Sequence, residues 1–242
     1  MSGKRKKTKR AERAAFLALL TIWIYVIIHN SAEKGIPASS IPRDAGPVLI
    51  VDPGHGGMDG GAVSAGGLRE SQVNLSVSLR LRELGRFFGL PVEMTRESES
   101  LEYPPDATTV AARKRWDTRN RVEMINGQKY AVLISVHQNY YPSAAPAGPQ
   151  ILYADTPGSR ELADRLGNCF IERFESSRAR ITEPVPEDVY IMNHVTCPAI
   201  LVECGFLSNP REAARLADDH YQLRLAAVML QGFLLYTEDS TL

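Results

Sequence analysis

Residues 48–57 read VLIVDPGHGG, an uninterrupted apolar run followed by a glycine-rich turn around one histidine. A short apolar run without alternation is typical of a strand that is buried on both faces. Two further apolar runs also lead into a titratable side chain: AVLISV is followed by His137, and AILV is followed by Glu203. We therefore predict three buried strands, each of which ends in a titratable side chain.

Segments with helical patterns separate these strands. The predicted helices cover 70–88, 108–126, 158–176 and 219–236. Weaker strand candidates cover 91–95, 151–154 and 189–192. Asn209 followed by Pro210 is a typical helix start. Because strands alternate with helices, we predict an α/β fold for 47–238: a single domain with a twisted, largely parallel central sheet flanked by helices on both faces.

Charge is distributed unevenly along the chain. Residues 1–13 contain seven of the 28 lysines and arginines and one acid, Glu12, whereas the rest carries 21 basic and 27 acidic side chains. A mildly acidic body lacks the electrostatic footprint of a nucleic-acid-binding protein, so we expect no nucleic-acid partner.

An uncharged segment follows the basic tail. Residues 14–32 contain no lysine, arginine, aspartate or glutamate, and as a helix they would span about 28 Å, close to the ~30 Å hydrocarbon core of a membrane. Basic residues in front of such a segment hold the tail in the cytoplasm. We interpret 14–32 as a membrane anchor, with a cleaved signal peptide as the alternative, and the Pro- and Ser-containing residues 33–46 as a linker. The body then lies on the extracytoplasmic face of a bacterial membrane, or is secreted if the segment is cleaved.

The three cysteines offer little chemistry. Cys169, Cys197 and Cys204 form no CxxC pair, which excludes a cysteine-based zinc knuckle and a complete disulfide framework. Buried small side chains are the default interpretation, and a bridge between Cys197 and Cys204 stays open.

The titratable groups that follow the strands are predicted to meet. The carboxyl ends of parallel strands lie at one edge of the sheet, where ligands bind. His55, His137 and Glu203 follow the three buried strands, and Glu70 opens the first helix, whose N-terminus favours a carboxylate. Two imidazoles and a carboxylate can hold a catalytic zinc ion, and a second carboxylate can move protons. The spacing is not of the HExxH type, so the pattern alone leaves ordinary loop and core roles open.

Four motifs resemble, in this order, those of the zinc-dependent N-acetylmuramoyl-L-alanine amidase family, amidase-3 type. They are VDPGHGGMDGGA (51–62), ESQVNL (70–75), SVHQN (135–139) and LVECGFLSN (201–209). The resemblance extends over about 48–236, nearly the whole body. It implies cleavage of the amide bond between N-acetylmuramic acid and L-alanine in peptidoglycan, with Zn²⁺ as the cofactor.

The resemblance also implies roles for individual residues. His55, Glu70 and His137 correspond to zinc ligands, and Glu203 corresponds to the catalytic carboxylate. Where the family usually has His-Ala-Asn, this chain has a glutamine between His137 and Asn139, which keeps the ligand.

Further polar residues are candidates for a role around the site. Arg121 falls where the family carries an arginine in the helix before the second histidine. We expect Arg121, Asn139 and Arg96 to contact substrate, although the two arginines could instead pair with acids. Asp52 and Asp59 are expected to orient the turn or a ligand nitrogen.

Within the family, the short single domain, the N-terminal apolar segment and the stretch around 190–192 are similar to the germination-specific type of spore formers. That type removes stem peptides so that muramic-δ-lactam can form in the spore cortex, which implies the forespore intermembrane space as the location. The sequence contains none of the wall-binding repeats of many relatives, so targeting would depend on the anchor or on a regulatory protein partner. Two other hypotheses stay open: a zinc carboxypeptidase acting on stem peptides, and an inactive wall-binding regulator.

Overall fold

The computed structural model describes residues 46–174 and 180–239. The predicted basic tail, the predicted membrane segment and nearly all of the predicted linker lie outside these ranges. Within them, no helix combines the length and the apolar character needed to cross a membrane.

The described chain forms strands and helices in alternation. The strands are β1 (Val48–Pro53), β2 (Val92–Met94), β3 (Ala131–Asn139), β4 (Gln150–Tyr153), β5 (Arg180–Pro184) and β6 (Ala199–Phe206). The helices are α1 (Glu70–Phe87), α2 (Val110–Gly127), α3 (Ser159–Phe174), α4 (Tyr190–His194), α5 (Pro210–Leu216) and α6 (Asp219–Asp239). The predicted α/β fold is confirmed.

The six strands form one sheet in the order β2-β1-β3-β6-β4-β5. The first four run parallel to one another, whereas β4 pairs antiparallel with β6, and β5 follows the direction of β4. The sheet is therefore parallel over four strands and mixed overall. Because β1, β3 and β6 are parallel neighbours, the segments that follow them meet at one edge.

The pleat of β1 shows how the core is divided. Leu49 and Val51 belong to an apolar cluster with α1, α3 and α6, whereas Val48 and Ile50 belong to a second cluster with α2 and α4. All four side chains are buried, and full burial of such a side chain is worth roughly 1.5–3 kcal/mol. Helices on both faces thus hold the strands that carry the predicted site, as expected from their continuous apolar runs.

The predicted strand at 189–192 is wrong, since α4 begins at Tyr190. Val189, Met192 and Val195 follow one another at a helical spacing, and Met192 and Val195 are buried. A short apolar run does not by itself distinguish a strand from a helix, and here packing against α2 and β6 selects the helix. Strand β5 was not predicted because its sequence, RITEP, contains no apolar run.

No disulfide forms among the three cysteines. Cys169 and Cys204 are buried, Cys197 is partly buried, and all three are free thiols. Burial raises the pKa of the Cys197 thiol to about 11, which keeps it protonated and unreactive.

Candidate active site

The turn after β1 depends on its glycines. His55 has a φ of 60° and is followed by Gly56 and Gly57 with φ values of 122° and 58°, a left-handed run that side chains rarely allow. A Cβ atom on Gly54 would overlap the imidazole of His137. The motif therefore lets the backbone turn sharply and lets two histidines approach each other.

Three of the predicted side chains converge at the carboxyl edge of the sheet. The Oε1 atom of Glu70 lies 3.1 Å from Nε2 of His55 and 3.1 Å from Nδ1 of His137. The two imidazole rings are 5.0 Å apart between centroids, and one donor atom from each of the three residues lies within 4.8 Å of the others.

This donor set fits a zinc ion. Ligand atoms about 2.0–2.1 Å from a tetrahedral ion are about 3.3 Å from one another, close to the observed spacing of 3.1 Å. Two nitrogen donors and one carboxylate oxygen match the donors of catalytic zinc sites, in which three protein ligands leave one position open.

Asp59 orients His55 from its other side, and Lys114 contacts Asp59 in turn. The Nδ1 atom of His55 lies 3.0 Å from Oδ2 of Asp59, which also accepts from Nζ of Lys114 at 2.8 Å. Burial lowers the pKa of His55, but its contacts with Asp59 and Glu70 outweigh this effect and raise the pKa to about 9. A carboxylate at Nδ1 holds the ring so that Nε2 faces Glu70, as predicted for a metal ligand.

Glu70 is held at the first residue of α1. Its Oε2 accepts the backbone N–H of Ala62 at 2.8 Å, and its Oε1 accepts that of Gln138 at 3.1 Å. Burial raises the pKa of this carboxyl group, but hydrogen bonds and charge interactions with His137 and His55 hold it well below its usual range. Glu70 is therefore an ionised carboxylate that is fixed from both sides.

Glu203 completes the cluster from β6. It is the direct partner of His137 in the register between β3 and β6. Its Oε2 is buried and has no hydrogen-bond partner among the described residues. Burial raises the pKa of Glu203 to about 7, against a smaller opposing effect of the two histidines. A carboxyl group of this kind can exchange a proton near neutral pH.

Arg121 lies behind the histidine turn. Its guanidinium group donates to Asp52, Asp117 and the carbonyl oxygens of Pro53 and His55, at 2.7 to 3.0 Å, and all five of its N–H groups are engaged. The carboxylate of Asp52 is completely buried and also accepts the hydroxyls of Thr95 and Ser135. Arg121 therefore holds the loop to the sheet. Of the two roles expected from the sequence, substrate contact or pairing with acids, the structure shows pairing with acids.

The other two expected substrate contacts are also engaged within the protein. The five N–H groups of Arg96 bind the carbonyls of Pro53, Gly54, Ser71 and Ser98 and the carboxylate of Glu99. Asn139 donates its amide to Gln150 at 3.0 Å. Arg96 is buried and has no N–H group left for a ligand, whereas Asn139 is partly exposed at the end of β3.

A pocket of about 260 Å³ opens beside the two histidines, between α2 and residues 188–192. Lys114 and Asp188 contribute charge, and the apolar wall consists of Val189, Ile191, Met192 and Leu201. Two larger cavities, of about 730 and 680 Å³, are not lined by His55, Glu70, His137 or Glu203. The small pocket is therefore the candidate substrate site because of the residues beside it, not because of its size. Sequence analysis missed Lys114, because an exposed lysine on a polar helix gives no signal.

The family follows from this geometry and from comparison with known proteins. The family model for N-acetylmuramoyl-L-alanine amidase matches residues 49–234, and the chain belongs to this family. The germination-specific N-acetylmuramoyl-L-alanine amidase of Bacillus subtilis is 35% identical over 221 residues, covering 91% of this chain and 91% of that protein.

Solved structures show the same relationship. The CwlD amidase of Clostridioides difficile, in complex with the GerS lipoprotein, matches with a TM-score of 0.76 and 31% identity over 80% of this chain and 99% of that chain. The catalytic domain of the amidase CwlV from Paenibacillus polymyxa matches with a TM-score of 0.68 and 26% identity over 79% and 98% of the two chains.

Proposed function

We propose that this chain is a zinc-dependent amidase that cleaves the bond between the lactyl group of N-acetylmuramic acid and L-alanine in peptidoglycan. The observation that carries the proposal is the convergence of His55, Glu70 and His137 around one point, with Glu203 beside them. Membership of the amidase family supplies the substrate class.

The proposed ligand atoms lie close together. His55 presents Nε2, His137 presents Nδ1 and Glu70 presents Oε1 toward one another. A zinc ion held by these residues would polarise the scissile carbonyl group and lower the pKa of its bound water to near neutrality. Asp59 holds His55 in the orientation that this arrangement needs.

Glu203 moves the protons in the proposed reaction. Its buried, unpaired carboxylate takes a proton from the attacking water and then gives it to the nitrogen of the leaving L-alanine. A pKa of about 7 suits both steps, since the group accepts and releases a proton with similar ease at neutral pH.

We further propose that the enzyme acts outside the cytoplasm, in spore cortex maturation, where its product would be converted to muramic-δ-lactam. This step is supported by the 35% identity to the germination-specific enzyme of Bacillus subtilis. The related Clostridioides difficile amidase forms a complex with a lipoprotein, which supports a protein partner for this chain as well. Residues 14–32 would supply the attachment to the membrane.

The test compares wild type with Glu203→Gln, using Glu93→Gln as the matched control because Glu93 is exposed in β2. We expect all three proteins to bind zinc. Wild type and Glu93→Gln should release intact stem peptides from purified sacculi, and Glu203→Gln should not. The released peptides are measured by mass spectrometry. Full activity of Glu203→Gln would refute its role. Trimming by a single residue would indicate the carboxypeptidase, and zinc binding without any product would indicate the wall-binding regulator.

A further inference from the structure

A chain of buried amide groups lies behind the metal-binding side chains. The Nε2 group of Gln138 donates to Oδ1 of Asn74 at 3.1 Å, and the Nδ2 group of Asn74 donates to the carbonyl oxygen of Gly54 at 3.1 Å. Asn74 is 0% exposed and Gln138 is 2% exposed. Side chains this deeply buried cannot reach a substrate, so their role lies within the protein.

Each member of this chain is next to one of the ligand residues. Gly54 precedes His55, Asn74 lies one helical turn after Glu70, and Gln138 follows His137. The two hydrogen bonds therefore join the turn after β1, helix α1 and strand β3, which are the three elements that supply the ligand atoms. Successive residues of a strand point to opposite faces, so Gln138 lies behind the sheet edge while His137 lies in front.

We propose that Asn74 and Gln138 form an amide clamp, a pair of positioning residues that holds the three ligand-bearing elements in register for zinc. The proposal rests on the zinc-dependent function proposed above. It adds two residues to the machinery of the site, neither of which touches the ion or the substrate.

The orientation of both amides is determined by the contacts at the two ends. The carbonyl oxygen of Gly54 can only accept, so Asn74 must turn its NH₂ group toward it and its oxygen toward Gln138. Gln138 must then present its own NH₂ group, as the structure shows. Only glutamine or another donor at 138 satisfies this arrangement, because an aliphatic side chain would leave the oxygen of Asn74 unpaired.

Gln138 is also connected directly to the site. Its backbone N–H donates to Oε1 of Glu70, the oxygen that lies 3.1 Å from both imidazoles. A shift of Gln138 would therefore move the carboxylate that both histidines contact.

The clamp also has a cost to folding. The Oε1 atom of Gln138 is buried and accepts no hydrogen bond from the described residues, and an unsatisfied buried acceptor is unfavourable. A methionine of similar length would remove this oxygen but would leave Oδ1 of Asn74 without its donor. Either residue therefore leaves one buried oxygen unpaired, but only glutamine joins α1 to β3 by a hydrogen bond.

The test is a zinc titration of the full chain against a competing chelator. Variants Gln138→Met and Asn74→Leu remove the clamp and keep the volume, whereas Ser78→Ala is the control: Ser78 is a buried residue of the same helix whose hydroxyl has no described partner. We expect zinc to bind about 10–100-fold more weakly to either clamp variant, the usual effect of losing an outer-shell partner, and normally to Ser78→Ala. The double variant should be no weaker than the single ones, because the two residues act as one unit.

Thermal unfolding of the chelator-treated proteins separates positioning from a general packing role. Gln138→Met should unfold at or slightly below the wild-type temperature, since it exchanges one unpaired buried oxygen for another and loses one hydrogen bond, while its zinc affinity falls. If the clamp variants bind zinc as tightly as Ser78→Ala, or lose stability without binding zinc more weakly, the clamp is overturned. The proposed zinc-dependent function would stand. A wild-type chain that binds no zinc would overturn the proposed function and the clamp with it.

Discussion

Replacing Glu203 with glutamine should change how the stability of the metal-free protein depends on pH. Burial raises the pKa of Glu203 to about 7 from its ordinary value of 4.5. In the folded protein the ionised form is therefore disfavoured, so the stabilising contribution of the protonated group is complete below pH 4.5. That contribution is lost as the pH rises through about 7.

The size of this loss follows from the two pKa values. A folded pKa of about 7 and an unfolded value of 4.5 correspond to about 3 kcal/mol of stability above neutral pH. The environment of the carboxyl group supports a shift of this size, because its Oε2 atom is buried without a hydrogen-bond partner among the described residues. Glutamine cannot ionise, so Glu203→Gln avoids the loss.

The assay is urea unfolding of chelator-treated wild type and Glu203→Gln. From about pH 5 to about pH 8 the free energy of unfolding of Glu203→Gln should gain about 2.5 kcal/mol relative to wild type. The other titrating groups of the site, such as His55 and Glu70, are present in both proteins, and their effects largely cancel. Glu93→Gln should follow wild type, since Glu93 is exposed. Parallel curves for Glu203→Gln and wild type would refute the assignment of a protonated, desolvated carboxyl group.

Three further predictions concern two residues that support the site and one helix cap outside it. Arg121→Met should lower the free energy of unfolding by about 3–5 kcal/mol in urea titrations, because it leaves the buried carboxylate of Asp52 without its cationic partner; an unchanged midpoint would contradict this. Gly54→Ala should weaken zinc binding in a chelator competition, because the added Cβ displaces the imidazole of His137; affinity equal to wild type would show that the turn can adjust. Asn209→Ala should cost about 1 kcal/mol by removing the cap of α5, and zinc affinity should stay at the wild-type value, since this helix contributes no ligand.

The apolar runs were the most informative part of the sequence. The runs beginning at Val48, Ala131 and Ala199 all form buried strands, and the helix predicted from Glu70 begins there. Asn209 accepts the backbone N–H groups of Arg211 and Glu212, as expected for a helix cap. These features are local, because burial periodicity and capping involve residues that are close along the chain.

The segments that sequence analysis misjudged are those for which distant packing decides. Residues 189–192 have an apolar run compatible with a strand, yet they pack against α2 and β6 as a helix. The direction of β4 and β5 is likewise not encoded in their own residues: Ile151 pairs with Val202 across an antiparallel contact that only the neighbouring strand defines.

The same distinction applies to the site. The amino-acid sequence by itself determined which residues could supply chemistry, since glycine-rich turns and titratable groups after apolar strands are recognisable in one dimension. The tertiary structure alone decided what each group contacts: it brings Glu70 between two imidazoles, engages every N–H group of Arg96 and Arg121 within the protein, and links Gln138 to Asn74. The physical reason is that hydrophobic periodicity acts over a few neighbouring residues, whereas a hydrogen bond of about 3 Å between residues more than 60 positions apart exists only once the strands are in register.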